Sequence, residues 1–209
     1  MNKRFRRTLT VLGTALLTGV LLAGVASAAT STSFKMVRSS GAVAADCLEG
    51  ANANVTINSL GPVEVMNVSA NHLPPNKEFD LFVTQLPNPP FGVSWYQGDL
   101  ETDADGHAQG RFIGRFSIET FAVAPESGPA PVVHGDGPFP DASTNPKFAP
   151  VHTFHLGMWF NSARAAKAAG CTGDDVIRTP FNGVHNAGVQ ALSTRNSGNL
   201  NGPLRKVQP

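Results

Sequence analysis

The chain has 209 residues, with 16 Lys+Arg set against 15 Asp+Glu, and it is rich in Gly (21) and Pro (16). Charge this sparse and scattered leaves no electrostatic footprint for nucleic acid or for an anionic membrane surface. The Gly and Pro content argues for a loop-rich β domain rather than a helical one.

The N-terminus reads as a signal peptide over residues 1–28. Lys3, Arg4, Arg6 and Arg7 form a positive n-region, Leu9 to Val25 an apolar core, and Ala26-Ser27-Ala28 an A-x-A cleavage site. The apolar run is short, ends in small residues and has no charged stop after it, so no stable membrane span is expected once it is removed. The four basic residues lie before Ala29 and no acidic residue does; the remainder carries 12 basic and 15 acidic residues, a net charge of −3. A chain of about 181 residues then remains, enough for one sizeable core. These features place the protein outside the cytoplasm, secreted or in the cell envelope. In that setting the cysteine pair, Cys47 and Cys171, is most simply one disulfide.

Residues 29–50 are rich in Ser, Ala and Thr and read as an N-terminal lead, with a short strand over Phe34–Val37. A β domain is expected over 51–194. Ala53–Leu60 and Val63–Ala70 alternate on either side of Gly61-Pro62, as in a hairpin. Leu73-Pro74-Pro75-Asn76 turns the chain into a strand in which Phe79, Leu81 and Val83 alternate with Asp80 and Thr84. Leu86–Gly92, with three prolines, is a loop, and Val93–Leu100 is the next strand, with Trp95 and Tyr96 on opposite faces. Thr102-Asp103-Ala104-Asp105-Gly106 is a tight turn, because Asp can bond its own backbone and Gly tolerates positive φ. The strand after it alternates Phe112, Gly114 and Phe116 with Ile113, Arg115 and Ser117, so a β-hairpin about the turn is expected.

Residues 124–150 carry seven prolines and read as a long irregular loop. Val151–Asn161 reads as one apolar strand, and Ser162–Gly170 as the one short α-helix, capped by Ser162. Thr179-Pro180-Phe181-Asn182-Gly183 is turn chemistry, Gly188–Ser193 a last strand, and 195–209 a loose, flexible tail. About eight strands at this spacing imply a mainly β fold, an antiparallel β-sandwich with long proline-rich loops. The phrase from Leu73 to Gly106 resembles immunoglobulin-like or fibronectin-like modules of secreted bacterial proteins, on its Leu-Pro-Pro-Asn entry, aromatic-aliphatic strand and T-D-x-D-G turn. That resemblance covers about a third of the exported chain. It implies an immunoglobulin-like fold and no activity.

Chemistry is thinly signalled. No G-x-S-x-G nucleophile elbow occurs and no cofactor is expected. His134, His152, His155 and His185 are the candidates for a metal site; hydrogen-bonded core or edge histidines are the favoured reading, because His152 and His155 on one strand would project from opposite faces. Asp99, Glu101, Asp103 and Asp105 cluster at the turn, but without the third alternating ligand and distal Glu of a calcium loop. The aromatics beside the proline loops are more suggestive: Phe91, Trp95, Tyr96, Phe139 and Trp159 are the expected binding residues, since exposed rings stack on sugars or anchor protein partners. The sequence therefore points to a non-enzymatic binding module for a protein or glycan. The rival reading is a small extracellular metal-binding protein or hydrolase that uses the histidines with a carboxylate such as Asp136.

Overall fold

The computed structural model describes residues 30–117, 121–122, 151–174, 176–182 and 185–208. In chain order the elements are β1 (Ser31–Arg38), α1 (Ser40–Ala44), β2 (Asn52–Ser59), β3 (Glu64–Asn71), β4 (Glu78–Thr84), β5 (Ser94–Glu101), β6 (Ala108–Gly114), β7 (Phe121–Ala122), β8 (Val151–His152), β9 (His155–Phe160), α2 (Ala163–Ala168), β10 (Arg178–Asn182), β11 (His185–Gly188) and β12 (Gln190–Ser193). Eight of the strands form one sheet in the order β5-β4-β9-β12-β1-β2-β3-β6. Every pairing in it is antiparallel. The mainly β expectation is met. The ladder is continuous through all eight strands, and the sheet curls until its two edges meet at one turn, which makes it nearly a barrel.

The period-2 pattern builds the core. Phe79, Leu81 and Val83 of β4, Leu156, Met158 and Phe160 of β9, Ile57 of β2, Met66 of β3, Met36 of β1 and Leu192 of β12 all point inward and are buried together. Phe79 and Phe160 meet with ring centroids 4.7 Å apart. Glu64 is also on the inner side and fully buried; its carboxylate accepts the backbone N–H groups of Phe116 and Ser117 and lies 3.6 Å from Arg115 Nη1. Two backbone donors and a nearby cation offset part of the cost of burying this side chain.

Five expectations are corrected. The segment read as an N-terminal lead holds β1, which sits inside the sheet between β12 and β2, and a helix, α1, whose cap Ser39 accepts from the Ala42 N–H at 2.9 Å and donates to the Gln190 carbonyl. The described residues therefore hold two short α-helices where one was expected. The apolar run 151–161 breaks at Thr153–Phe154: β8 pairs with β7, and only β9 joins the large sheet. Of the segment 179–183, read as a turn, residues 179–182 belong to β10, paired with β11; Gly183 lies outside the described residues. The polar C-terminus is docked: Leu204 and Val207 are buried in the core, and the Leu204 N–H donates to the Phe154 carbonyl at 3.1 Å.

Where the two sheet edges meet, the expected hairpin forms only at its turn. Asp103 Oδ1 accepts the N–H groups of Asp105 and His107, both at 2.9 Å, and Thr102 donates to the Pro74 carbonyl at 2.7 Å, which ties this turn to the Leu73–Asn76 turn. One bridge, Thr102↔Ala108, joins the strands; beyond it β5 pairs with β4 and β6 with β3. Gly98 and Gly110 leave the room that the Phe112 ring fills: a Cβ on either would come within 2.8 Å of that ring. The ring wedges the strands apart, and a seam opens between β5 and β6.

Candidate functional site

The outer face of β4, β5 and β9 carries the features that stand out from a plain β scaffold. Residues that alternate with the core set point outward here, namely Glu78, Asp80 and Phe82 on β4 and Trp159 on β9. Phe82, Trp159 and Ala187 form a small second cluster, with Phe91 packed on it from the proline loop. Trp159 meets Phe91 edge-on at 5.0 Å and Phe82 at 5.5 Å, and Phe82 meets Tyr96 at 5.5 Å.

β5 brings Tyr96 to this face by an irregularity. Leu81 pairs with Gly98 and Phe82 with Tyr96, so Gln97 is an extra residue in the ladder. Tyr96 and Asp99 would face opposite ways on a regular strand; the bulge returns them to one side. The Tyr96 hydroxyl donates to Asp99 Oδ1 at 2.5 Å. That bond, with some burial and the charges of Asp99, Asp80 and Glu78, pushes the Tyr96 phenol up to about 12.

Asp99 lies directly across from Asp80, and Glu101 across from Glu78. The carboxylates of Glu78, Asp80 and Asp99 lie within 4.8 Å of one another, an oxygen-only donor set of the kind that suits a hard cation such as calcium. Burial, then the hydrogen bond and like charge of Asp99, then the charge of Glu78, push the Asp80 carboxyl up to about 6. Its sign on stability follows. Asp80 binds its proton more tightly folded than unfolded, so its contribution is most favourable below about pH 4 and is lost as pH rises through 6. Asp80→Asn should therefore stabilise the protein at pH 7 by about 1–2 kcal/mol, after allowance for solvent screening, and should change little at pH 4. Thermal melts at the two pH values check this; equal shifts at both would remove the account of a carboxyl raised by burial and by its acidic neighbours.

Of the expected binding residues, the structure brings Phe91, Tyr96 and Trp159 together. Trp159 is only 1% exposed, so it supports the face rather than presenting a surface. Trp95 (48% exposed) and Tyr96 (54%) both reach solvent; β5 is the last strand of the sheet, with no further strand beside it among the described residues. Phe139, His134 and Asp136 lie outside the described residues, as does the side chain of His185. His155 is buried with both ring nitrogens engaged, Nδ1 with Thr194 Oγ1 at 2.9 Å and Nε2 with the Asn199 carbonyl at 3.0 Å; burial holds its pKa below the usual histidine range. His152, on β8, stacks on Phe154 at 5.1 Å. Among the described residues no histidine belongs to a group of three potential metal ligands. The expected disulfide, Cys47–Cys171, is formed. No described helix is long and apolar enough to cross a membrane.

Fold and site together define a class: a disulfide-linked, mainly β chain whose eight-stranded antiparallel sheet is nearly closed and carries an aromatic and acidic outer face at its open edge. No protein-family model matches the chain, and no curated protein does.

Proposed function

We propose that this chain is an exported, non-enzymatic binding module, secreted or held in the cell envelope, and that it engages a protein or glycan partner through the free edge of β5. One observation carries the reading: Trp95 and Tyr96 stand about half exposed, side by side in sequence, on an edge strand whose rear is stiffened by buried rings. A rigid aromatic held on a packed support offers apolar contact area at little cost in conformational entropy, the property that binding sites select. The signal-peptide pattern and the single disulfide support export. An immunoglobulin-like sandwich fits this reading if the curled sheet is taken as two layers, β5-β4-β9-β12 facing β1-β2-β3-β6, with the shared core between them as its support.

The test compares the protein with its Trp95→Ala, Tyr96→Ala double variant on a glycan array and against extracellular proteins of the producing cell. Binding should weaken by on the order of tenfold or more, while stability falls by about 1–2 kcal/mol, because Tyr96 also contacts Phe82 and donates to Asp99. Ligand binding that survives the double variant unchanged would remove this surface from consideration.

A further inference from the structure

Among the described residues, the seam between β5 and β6 leaves two sheet edges without a strand partner along Ser94–Asp99 and Arg111–Gly114. An open edge is a template for pairing, and proteins usually guard it with lysine, proline or cover. β5 has no lysine or proline within its span, and its guards are the bulge at Gln97 and the carboxylates of Asp99 and Glu101; it exposes Trp95 and Tyr96, and β6 exposes Ile113 (60%). The charges on the edges are segregated. β5 carries Asp99 and Glu101 and no cation; β6 carries Arg111 and no carboxylate. Arg111 is exposed and forms no ion pair among the described residues. Continued from the Thr102↔Ala108 bridge, the antiparallel register sets Asp99 opposite Arg111. Within one molecule the Phe112 ring, seated over Gly98 and Gly110, keeps that register from zipping further.

From this we infer that the seam is a homodimer interface. Two copies meet seam to seam about a twofold axis that runs along the strands, and each β5 adds antiparallel to the β6 of its partner. Twofold pairing of this kind satisfies both edges at once and closes, so it yields a dimer and not a fibre. Charge selects the arrangement: β5 against β5 would oppose carboxylates, β6 against β6 would oppose guanidinium groups, and only β5 against β6 joins unlike charges. Trp95, Tyr96 and Ile113 then leave water together. The inference rests on the reading of β5 as a binding edge and names its partner as a second copy of this chain.

Sedimentation equilibrium of the exported form from about 1 to 100 µM is the test. A concentration-dependent dimer is expected. Arg111→Glu should weaken it by on the order of tenfold or more, and adding Asp99→Lys to that variant should restore most of the loss, with circular dichroism verifying that each variant is folded. A monomer throughout the range overturns the inference, as does a dimer indifferent to Arg111→Glu, or a charge swap that restores nothing in folded protein. The wider binding reading fails by a different result, a glycan or protein ligand whose affinity ignores Trp95 and Tyr96, so the two failures are separable.

Discussion

Replacing Cys47 and Cys171 together by alanine should lower the unfolding free energy by about 3–4 kcal/mol and the melting temperature by on the order of 10 °C. The bridge joins residues 124 apart, and the chain-entropy account of so long a loop reaches about 4.7 kcal/mol, of which measured gains often fall short. What it ties matters as much as the length. Cys47 follows α1 and Cys171 follows α2, helices of five and six residues that are far too short to persist without tertiary support. The variant should still fold, because the Thr172 N–H and hydroxyl both reach the Ala45 carbonyl, at 2.8 and 3.1 Å, and hold the same two segments together. Urea titration of variant and wild type, each with and without reductant, checks it. Reduced wild type should match the variant. A loss under 1 kcal/mol would mean that the unfolded chain gains little freedom when the bridge is cut.

The sequence carried the strands and the disulfide because both are local or compositional signals. Phe79, Leu81 and Val83 read correctly as one face because alternation along a strand is all that the inference needs. The turn at Asp103–Gly106 was legible for the same reason. What followed from it was not. A turn signal specifies that the chain reverses, and the ladder that normally follows was cancelled by the volume of one ring, Phe112, lying over two glycines. That β1 lies inside the sheet is hard to read from sequence, because Ser31, Ser33 and Lys35 on its outer face give the segment the look of a polar lead. The docked C-terminus is hard to read because Leu204 and Val207 are single anchors among polar residues and form no period. The break after His152 is a matter of which neighbour each half pairs with, which no run of apolar residues encodes. The site was half legible. Trp95 and Tyr96 could be named as aromatics on opposite faces, but that both are exposed depends on β5 ending the sheet. The juxtaposition of Asp80 and Glu78 with Asp99 needs the β4–β5 register, which no local pattern encodes, and Tyr96 reaches Asp99 only through the bulge at Gln97.

Trp159→Ala should cost about 3–5 kcal/mol, as large as any single substitution in this fold, although Trp159 lies outside the main core. It is the centre of the second cluster: 1% exposed, edge-on to Phe91 and Phe82, with Ala187 packed beside them. Each aromatic pair adds about 0.5–1.5 kcal/mol beyond the area it buries, and both vanish with the indole. The ring also lies over Gly157, where any Cβ would collide with it, so the residue beneath the indole brings no side chain of its own to fill the space it leaves. Phe91→Ala alone should cost less, because the ring is only partly buried, and less again in the Trp159→Ala background, where its partner is already gone. Trp95→Ala should cost about 0.5 kcal/mol or less, since half its surface is already in water. Urea titrations of these four proteins place the division between support and surface. If Trp159→Ala folded with a loss below 1 kcal/mol yet lost ligand, the indole would be a contact residue, and the binding surface would have to move from the edge of β5 to the face of β9.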